Sequence, residues 1–333
     1  MTELTSTLRR MIWLFPDRES TRTRVKWSAA FWETYAELAK EIGLTFERVA
    51  PEAVVIDAMD PKRPKVYIDR EIVTREETLF ITSPYTLPYQ SADTFNQLTL
   101  YQVLHEAGFY LPHPADMAVL FNDKLATMFR FADCPVPSVP TIRIGSGRDL
   151  VYDDYEPAIA GLPYPAFAKP AGWCSSRGIN LARDSHDVRG LLSLAHGGDT
   201  TMVFQPYLGN GTADYRVFMI DGEPRGAMLR APGDGALYPQ FSTGAKVRWV
   251  DVPDELAEAV AYFGDKLTVP FACVDFLHDG ERFYFSEIEL DGSILCPDPT
   301  DPEAVRIQRE LIIARFEAYR SGHARLFAAK GGA

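Results

Sequence analysis

Residues 273–289 read CVDFLHDGERFYFSEIE. Two apolar runs flank Asp279-Gly280, a dipeptide typical of the tight turn between antiparallel strands. Successive side chains of a strand point to opposite faces, so Glu287 and Glu289 share one face. If the two runs pair, Asp275 faces them. The stretch therefore predicts a β-hairpin that carries three clustered carboxylates.

These three carboxylates are the first candidate site. Clustered carboxylates repel one another, which raises their pKa values, and a divalent cation removes the repulsion. Hard oxygen ligands suit a Mg²⁺ ion that bridges nucleotide phosphates. The alternative is an exposed acidic face of a hairpin. The strongly apolar neighbours predict burial and favour the metal site.

The composition limits the classes of function. Of the 333 residues, 46% are hydrophobic and 24% are charged, which is typical of a globular protein. A net charge of −12 argues against nucleic-acid binding through bulk charge and against a protein that coats an anionic membrane. A nucleotide site remains compatible with this charge, because a few lysines and metal ions can reverse the local field.

The N-terminus and the cysteines indicate the compartment. The first 20 residues lack a long apolar segment, and no run approaches the roughly 20 apolar residues of a membrane span. The four cysteines form no CxxC pair. We therefore expect a cytoplasmic protein with reduced thiols, without a signal peptide and without a membrane span.

Apolar patterns divide the chain into three parts. In residues 1–117, strand-like runs alternate with helical patterns, which predicts an open α/β lobe. The later residues contain two Asp-Gly hairpin signals and a terminal helix over 303–319, which predicts largely antiparallel sheets. We place the second part at 118–204 and the third at 205–333. The strands predicted in the first part are 11–15, 54–57 and 78–81, and its helices are 29–42 and 94–106.

A loop rich in glycine and serine follows the strand-like residues 166–169. It reads PAGWCSSRGI over 170–179 and offers backbone amides and hydroxyl groups to a phosphate. Such a loop can also close over a nucleotide and exclude water. It matches neither the Walker A pattern nor GxGxxG, and ordinary hairpin loops share its composition.

Four basic residues lie in apolar surroundings. Lys169 ends a strand-like run and Lys124 begins a helix-like one. A buried lysine needs an anionic partner such as a phosphate; otherwise it extends to solvent from a strand end. Arg216 and Arg230 lie inside strand-like runs, where arginine either binds a carboxylate or phosphate bidentately or forms a structural ion pair.

The order of these elements is more specific than each of them alone. Between residues 118 and 300, Asn-Asp-Lys precedes a strand with Lys-Pro, the Gly/Ser loop, Gln-Pro-Tyr, Asp-Tyr-Arg, Met-x-Arg, Val-Asp-Phe and Glu-Ile-Glu-x-x-Gly. This order resembles the ATP-grasp superfamily. Within that superfamily it is most similar to the ribosomal-protein-glutamate ligases and the D-alanine ligases. The first part of the chain is similar to that family only in its α/β character.

The resemblance implies an ATP-grasp fold of class α/β (α+β), in which an N-terminal open α/β lobe precedes two α+β lobes that clamp ATP. It implies a ligase that activates a carboxylate as an acyl phosphate and couples it to an amine. By position, the resemblance implies three sets of residues that bind ATP: Lys124 and Lys169 at the phosphates, the phosphate-covering loop of Ser175, Ser176, Arg177 and Gly178, and the adenine-binding hinge of Gln205, Pro206, Tyr207 and Leu208. It implies ribose binding for Asp214 and catalysis at the γ-phosphate and the carboxylate for Arg216 and Arg230. It also implies that two Mg²⁺ (or Mn²⁺) ions are coordinated by Asp275, Glu287 and Glu289.

The sequence departs from the family pattern at two of these positions and leaves several alternatives. Glu289 stands where the family usually has asparagine, and Gln205 stands where glutamate is frequent.

The acceptor is an amine, a carrier-protein thiol or a group of the same substrate, which then cyclises. The scaffold also suits a small-molecule kinase and a nonenzymatic nucleotide-binding regulator. The loop Pro84–Gln90 either contacts the substrate or is structural. We expect a homodimer that acts on small-molecule carboxylates and amines.

Overall fold

The computed structural model describes residues 6–15, 26–82, 93–145, 154–173, 176–198, 200–239 and 244–330. The first part of the chain contains a parallel sheet in the order β2-β1-β6. Its strands are β1 (Arg10–Leu14), β2 (Thr45–Val49) and β6 (Thr78–Thr82), and its helices are α1 (Lys26–Glu41) and α2 (Asp93–Glu106). The strand and helix predictions for these segments are confirmed.

The predicted strand at 54–57 exists but does not join this sheet. It is β3 (Val55–Asp57), and it forms a separate antiparallel sheet with β4 (Lys65–Ile68) and β5 (Glu71–Val73). A turn at Asp69-Arg70, where both residues have positive φ angles, sends the chain straight back, so the pairing is local. The buried face of this small sheet packs in one apolar cluster with one face of β1.

The central sheet is antiparallel in the order β7-β10-β8-β9. Alternation along β8 turns Ala166 and Ala168 towards the apolar core and sends Phe167 and Lys169 to the other face. Lys169 therefore lies on the face that the sheet presents away from its own core. The elements are β7 (Ile142–Ile144), α5 (Glu156–Ala160), β8 (Ala166–Pro170), β9 (Asn180–Ala182), α6 (Ser185–Gly197) and β10 (Met202–Pro206).

The C-terminal sheet is antiparallel in the order β13-β12-β11-β14-β15. Both predicted Asp-Gly hairpins are confirmed, and at the first one Asp221 and Gly222 have φ angles of 50° and 79°. The strands are β11 (Ala213–Ile220), β12 (Glu223–Ala231), β13 (Lys246–Val250), β14 (Phe271–His278) and β15 (Phe283–Glu289).

The two faces of the C-terminal sheet pack against different parts of the chain. One face contacts α7 (Ala257–Lys266) and the segment that contains α4 (Lys124–Arg130), which follows α3 (Ala115–Asn122). The other face carries Phe218, Phe271 and Cys273, which pack with α1, β1 and the long α8 (Pro302–Lys330). The same face carries charged residues at neighbouring positions of β11 and β14. The first part of the chain therefore covers the sheet beside these charges.

Candidate active site

Strand register brings the predicted arginines and carboxylates together on the C-terminal sheet. On β11, Arg216 lies opposite Asp275 of β14, and Asp214 lies opposite Arg230 of β12. Asp275 also lies opposite Glu287 of β15, and a register shift follows it directly. Four adjacent strands thus contribute charged side chains to one small area.

Asp275 is the centre of this charged area. Its carboxylate accepts two hydrogen bonds from Arg216, from Nε at 2.8 Å and from Nη2 at 2.7 Å. Arg230 Nη2 donates to the same Asp275 at 2.7 Å and lies 2.6 Å from Asp214 Oδ2. Arg216 Nη2 also lies 2.8 Å from Glu289 Oε2. Asp275 is 1% exposed and Arg216 is 5% exposed, so solvent weakens these contacts little.

The carboxylates of the site differ in pKa because their cationic neighbours differ. Burial raises the pKa of Asp275, but Arg216 and Arg230 outweigh it and hold that pKa at about 2. Burial raises the pKa of Asp214 to about 6, against the opposing charge of Arg230. Burial and the neighbouring carboxylates likewise raise the pKa of Glu289 to about 7, although Arg216 opposes the rise.

The three predicted metal ligands form a compact group. Asp275, Glu287 and Glu289 each offer one carboxylate oxygen, and these oxygens all lie within 4.8 Å of one another. Asp275 is buried, and the other two side chains are partly exposed, at 27% and 37%. The hairpin geometry expected from the sequence is therefore present. Oxygen donors that converge and remain partly open suit a Mg²⁺ or Mn²⁺ ion.

The N-terminus of α4 places Lys124 beside this group. Asp123 caps the helix, because its Oδ1 accepts hydrogen bonds from the amides of Leu125 at 3.0 Å and Ala126 at 3.1 Å. Lys124 Nζ donates to Glu287 Oε2. Asp123 Oδ2 also accepts from Arg143 Nε of β7 at 3.0 Å, which joins the helix to the central sheet.

Lys169 reaches the same area from the central sheet. Its Nζ donates to Gln205 Oε1 at 2.7 Å, and Gln205 Nε2 donates to Thr141 Oγ1 at 2.9 Å. Burial, together with the charge of Lys124, lowers the pKa of Lys169 to about 8. Glu287 and Asp214 are the acidic groups that act on it in the opposite direction. Thr141 was not predicted as a site residue; it directly precedes β7.

The predicted phosphate-covering loop is described in part. Ser176, Arg177 and Gly178 are placed, whereas Ser175 lies outside the described residues. Gly178 has a φ angle of +70°, and a Cβ atom there would lie 2.7 Å from Pro170 Cγ and 3.0 Å from the Trp173 ring. This position therefore requires glycine, and the loop folds back onto the end of β8 beside Lys169.

The predicted hinge connects the central and C-terminal sheets. Gln205 and Pro206 end β10, and the Tyr207 amide donates to the carbonyl of Pro165 at 2.9 Å. The ring centroid of Phe167 lies 5.3 Å from that of Tyr207 and 5.6 Å from that of Tyr238. Leu208 packs on the apolar core of the C-terminal sheet. The sequence did not predict that Phe167 packs against Tyr207 of this segment or that Tyr238 packs against Phe167, because these residues lie far apart along the chain.

Two further predictions have a simple outcome. The loop Pro84–Gln90 lies outside the described residues, so its proposed substrate contact stays a prediction. Among the described helices, none combines the length and the apolar character that crossing a membrane requires.

Comparisons with known proteins agree with this architecture. No family model matches the sequence. N-acetylaspartylglutamate synthase A of Homo sapiens is 27% identical over 216 residues, which are 64% of this chain and 54% of that protein. The chain thus spans about half the length of this curated relative.

Two solved structures show the fold. D-alanyl-alanine synthetase A from Vibrio cholerae has a TM-score of 0.62 and 14% identity, and the match covers 95% of this chain and 99% of that one. An ATP-grasp RimK domain protein from Sphaerobacter thermophilus has a TM-score of 0.56 and 15% identity, with 92% and 98% covered. The chain has the ATP-grasp fold, as its motif order predicted.

Proposed function

We propose that this protein is an ATP-dependent ligase that converts a substrate carboxylate to an acyl phosphate and transfers the acyl group to an amine. The observation that carries this proposal is the convergence of charged residues from both halves of the fold. Lys124, Lys169, Arg216 and Arg230 meet the carboxylates of Asp214, Asp275, Glu287 and Glu289. Two relatives whose names describe synthesis of an N-acylated or dipeptide product support the same reaction class.

The donor set fits a divalent cation. Asp275, Glu287 and Glu289 would hold Mg²⁺. When bound, this ion would neutralise part of the phosphate charge. In the structure, Lys124 and Arg216 pair with these same carboxylates. These basic side chains thus offset part of the negative charge of the carboxylate cluster, and we propose that Lys124 moves its contact from Glu287 to the phosphates when nucleotide binds.

The remaining residues fit the nucleotide. Lys169 would bind phosphate, and the loop that contains Gly178 would cover it. Within the part of the chain that the structure describes, the buried Asp214 Oδ1 has no hydrogen-bond partner. An acceptor of this kind suits a ribose hydroxyl, which donates, because an unsatisfied buried acceptor costs free energy. The backbone of Gln205–Leu208 would contact adenine.

The proposed chemistry depends on positioning and electrostatics. A carboxylate oxygen of the substrate attacks the γ-phosphorus, the bond to the β–γ bridging oxygen breaks, and ADP leaves. The amine nitrogen then attacks the acyl carbon, the acyl–oxygen bond breaks, phosphate leaves with the electron pair, and the amine proton passes to solvent. Arg216 and Arg230 would stabilise the charge that develops on the transferring phosphoryl group and the carboxylate. A closed loop over the site would protect the acyl phosphate from water.

An acid panel with a chemical trap tests this proposal. The protein is incubated with ATP, Mg²⁺ and one mono- or dicarboxylic acid at a time, with hydroxylamine as the amine. We expect acid-dependent ADP release together with a hydroxamate, which forms when hydroxylamine captures an acyl phosphate. Glu287→Gln is the matched control, and it should abolish both signals while the fold survives.

The possible outcomes separate the candidate functions. ADP release with a stable phosphorylated product and no hydroxamate would instead identify a kinase. ATP binding without ADP release across the whole panel would favour a nucleotide-binding regulator. Full turnover by Glu287→Gln would refute the metal assignment.

We further propose the division of the chain at 117 and 204. It is supported by the separate stretches of sequence that the main sheets occupy, but residue 117 lies inside α3 and residue 204 inside β10. The segment around α4 belongs to the second part by sequence but packs on the C-terminal sheet.

Cys134, Cys273 and Cys296 are free thiols, which supports a cytoplasmic location. The homodimer stays a prediction.

A further inference from the structure

Arg315 of α8 is a buried cation outside the site described above. It is 0% exposed, and among the described residues no carboxylate forms an ion pair with it. Its Nε donates to the Tyr319 hydroxyl at 2.7 Å, and its Nη1 donates to the Tyr35 hydroxyl at 3.2 Å. Its Nη2 has no hydrogen-bond partner within the described ranges. Burying a cation without an ionic partner costs folding free energy, so its presence calls for an explanation.

Aromatic rings reduce that cost. The guanidinium carbon lies 3.9 Å from the ring centroid of Phe271 and 5.0 Å from that of Trp13. Stacking on ring faces stabilises a guanidinium in the absence of a counterion. The aromatic rings therefore hold the arginine in one orientation, with its donors directed by the surrounding hydroxyl and carbonyl groups.

One of those carbonyl groups belongs to the segment that follows the metal-binding strand. Arg315 Nη1 donates to the carbonyl of Gly292 at 3.3 Å, and Gly292 lies three residues beyond Glu289. A Cβ atom on Gly292 would lie 2.3 Å from Cys273 Sγ and 3.4 Å from Arg216 Nη1. The backbone of Gly292 is thus packed between Arg315 on one side and Arg216 of the site on the other.

Neighbouring contacts hold the same segment from outside the site. The Ile294 amide donates to the Tyr35 hydroxyl at 3.4 Å, and Gln308 Nε2 donates to the Ile294 carbonyl at 3.0 Å. Residues 290–294 form no regular helix or strand, so side chains of α1 and α8 fix their path. Small movements of this segment would shift both Glu289 and the backbone against which Arg216 packs.

We propose that Arg315 is a positioning residue for the metal–nucleotide site: through the Gly292 carbonyl it holds the segment that fixes Glu289 and Arg216, without touching the reactants. This inference rests on the proposed function, because it assumes that Glu289 binds a metal ion. Core packing alone does not require an arginine at this position of α8, because an apolar side chain would fill the same space without burying a charge that has no counterion.

Mn²⁺ affinity in the presence of saturating ADP tests this role, and electron paramagnetic resonance of the Mn²⁺ ion reports both affinity and ligand geometry. Arg315→Met keeps an unbranched, flexible side chain, although a shorter one, and removes its donors. Because loss of a group that orients metal ligands typically weakens metal binding, we expect a loss of about 10- to 100-fold and an altered spectrum. Arg315→Lys, which keeps the charge and one donor group, should recover part of the affinity.

Arg309→Met is the matched control. Arg309 lies on the same helix and pairs with Glu41 of α1, but it is exposed, and within the described part of the chain its hydrogen bonds go to Glu41 rather than to the 290–294 segment. We expect wild-type Mn²⁺ affinity for this variant. If Arg315→Met does not fold, Tyr319→Phe, which removes the acceptor of Arg315 Nε, is measured instead and should show a smaller loss in the same direction.

The outcomes are separable. If the wild-type protein binds no Mn²⁺ with ADP, the proposed function fails. If the wild type binds Mn²⁺ and a folded Arg315→Met, or Tyr319→Phe in its place, binds it equally well with the same spectrum, the positioning role is overturned. Equal losses in Arg315→Met and Arg309→Met would also overturn it, since they would reflect a general effect of α8.

Discussion

The central and C-terminal sheets hold their site cations in opposite ways. On the C-terminal sheet, Arg216 and Arg230 share the carboxylate of Asp275, and each also contacts a second acid. On the central sheet, Lys169 donates to the neutral amide of Gln205, and among the described residues no carboxylate lies within ion-pair distance of it. Its pKa is lowered to about 8, whereas burial lowers the pKa of both arginines but the neighbouring acids outweigh it and raise that pKa.

This difference separates cations that are paired within the fold from a cation that, in our proposal, binds a ligand. Removing the acid between two buried arginines leaves their charge without compensation, which is strongly destabilising. Lys169 already bears the cost of burial without an acidic partner, so a phosphate would relieve it. Variants on each sheet test whether the ion pairs of the C-terminal sheet contribute mainly to stability and Lys169 of the central sheet contributes mainly to ligand binding.

Asp275→Asn should have the largest effect. The substitution keeps the shape of the side chain but removes the charge that Arg216 and Arg230 share, so we expect the free energy of unfolding to fall by about 3–5 kcal/mol. Urea denaturation followed by circular dichroism measures this. Asp279→Asn, in the exposed turn of the same hairpin, is the control for an aspartate with no buried cation. A loss below about 1 kcal/mol would mean that solvent reaches these arginines.

The pH dependence of stability tests the state of Lys169. Its pKa of about 8 in the folded protein lies below the ordinary value of 10.5, so between these pH values the unfolded chain binds more protons than the folded chain. The free energy of unfolding should therefore rise with pH across this window. The expected contribution is about 1–3 kcal/mol between pH 7 and pH 10, and Lys169→Met should lack it. Parallel curves for the two proteins would contradict the lowered pKa.

Lys169→Met should also separate binding from stability at neutral pH. Loss of a charged donor to phosphate should weaken ADP affinity about tenfold or more, since hydrogen bonds to charged groups are worth about 1.5–3 kcal/mol. Stability at pH 7 should not decrease, because the variant removes a partly buried cation without breaking an ion pair. Isothermal titration calorimetry and thermal denaturation measure the two quantities. A destabilised variant with normal ADP affinity would reverse the assignment.

Local sequence patterns predicted the hairpins and the carboxylate cluster. The Asp-Gly turns fix the pairing of neighbouring strands, so Asp275 lies opposite Glu287 as expected. The order of motifs predicted the ATP-grasp fold, which the structural comparisons confirm. Lys124 and Lys169 lie far apart along the chain, and the same motif order placed both near one ligand.

Long-range partners could not be predicted in the same way. Pairing across β11 depends on the register of strands that are far apart in the sequence; Arg216 and Asp275, for example, lie 59 residues apart. Arg315 left one weak signal: it lies four residues from both Leu311 and Tyr319, on an otherwise apolar helix face. Periodicity marks such a position as buried but does not say which carbonyl it contacts. The antiparallel sheet β3-β4-β5 was missed because its strands are only 3, 4 and 3 residues long.

Gln205→Glu should have the smallest effect and sharpens the comparison most directly, because it gives the central sheet the kind of partner that the C-terminal sheet has. A carboxylate at this position would pair with Lys169, raise its pKa and compete with phosphate. We expect about threefold weaker ADP binding, on the scale of a partly exposed ion pair, together with loss of the rise in stability between pH 7 and pH 10. Gln205→Met controls for loss of the amide alone, and it should keep the alkaline rise. If Gln205→Glu bound ADP more tightly and retained that rise, the neutral partner would not be what keeps Lys169 available, and burial alone would account for its pKa.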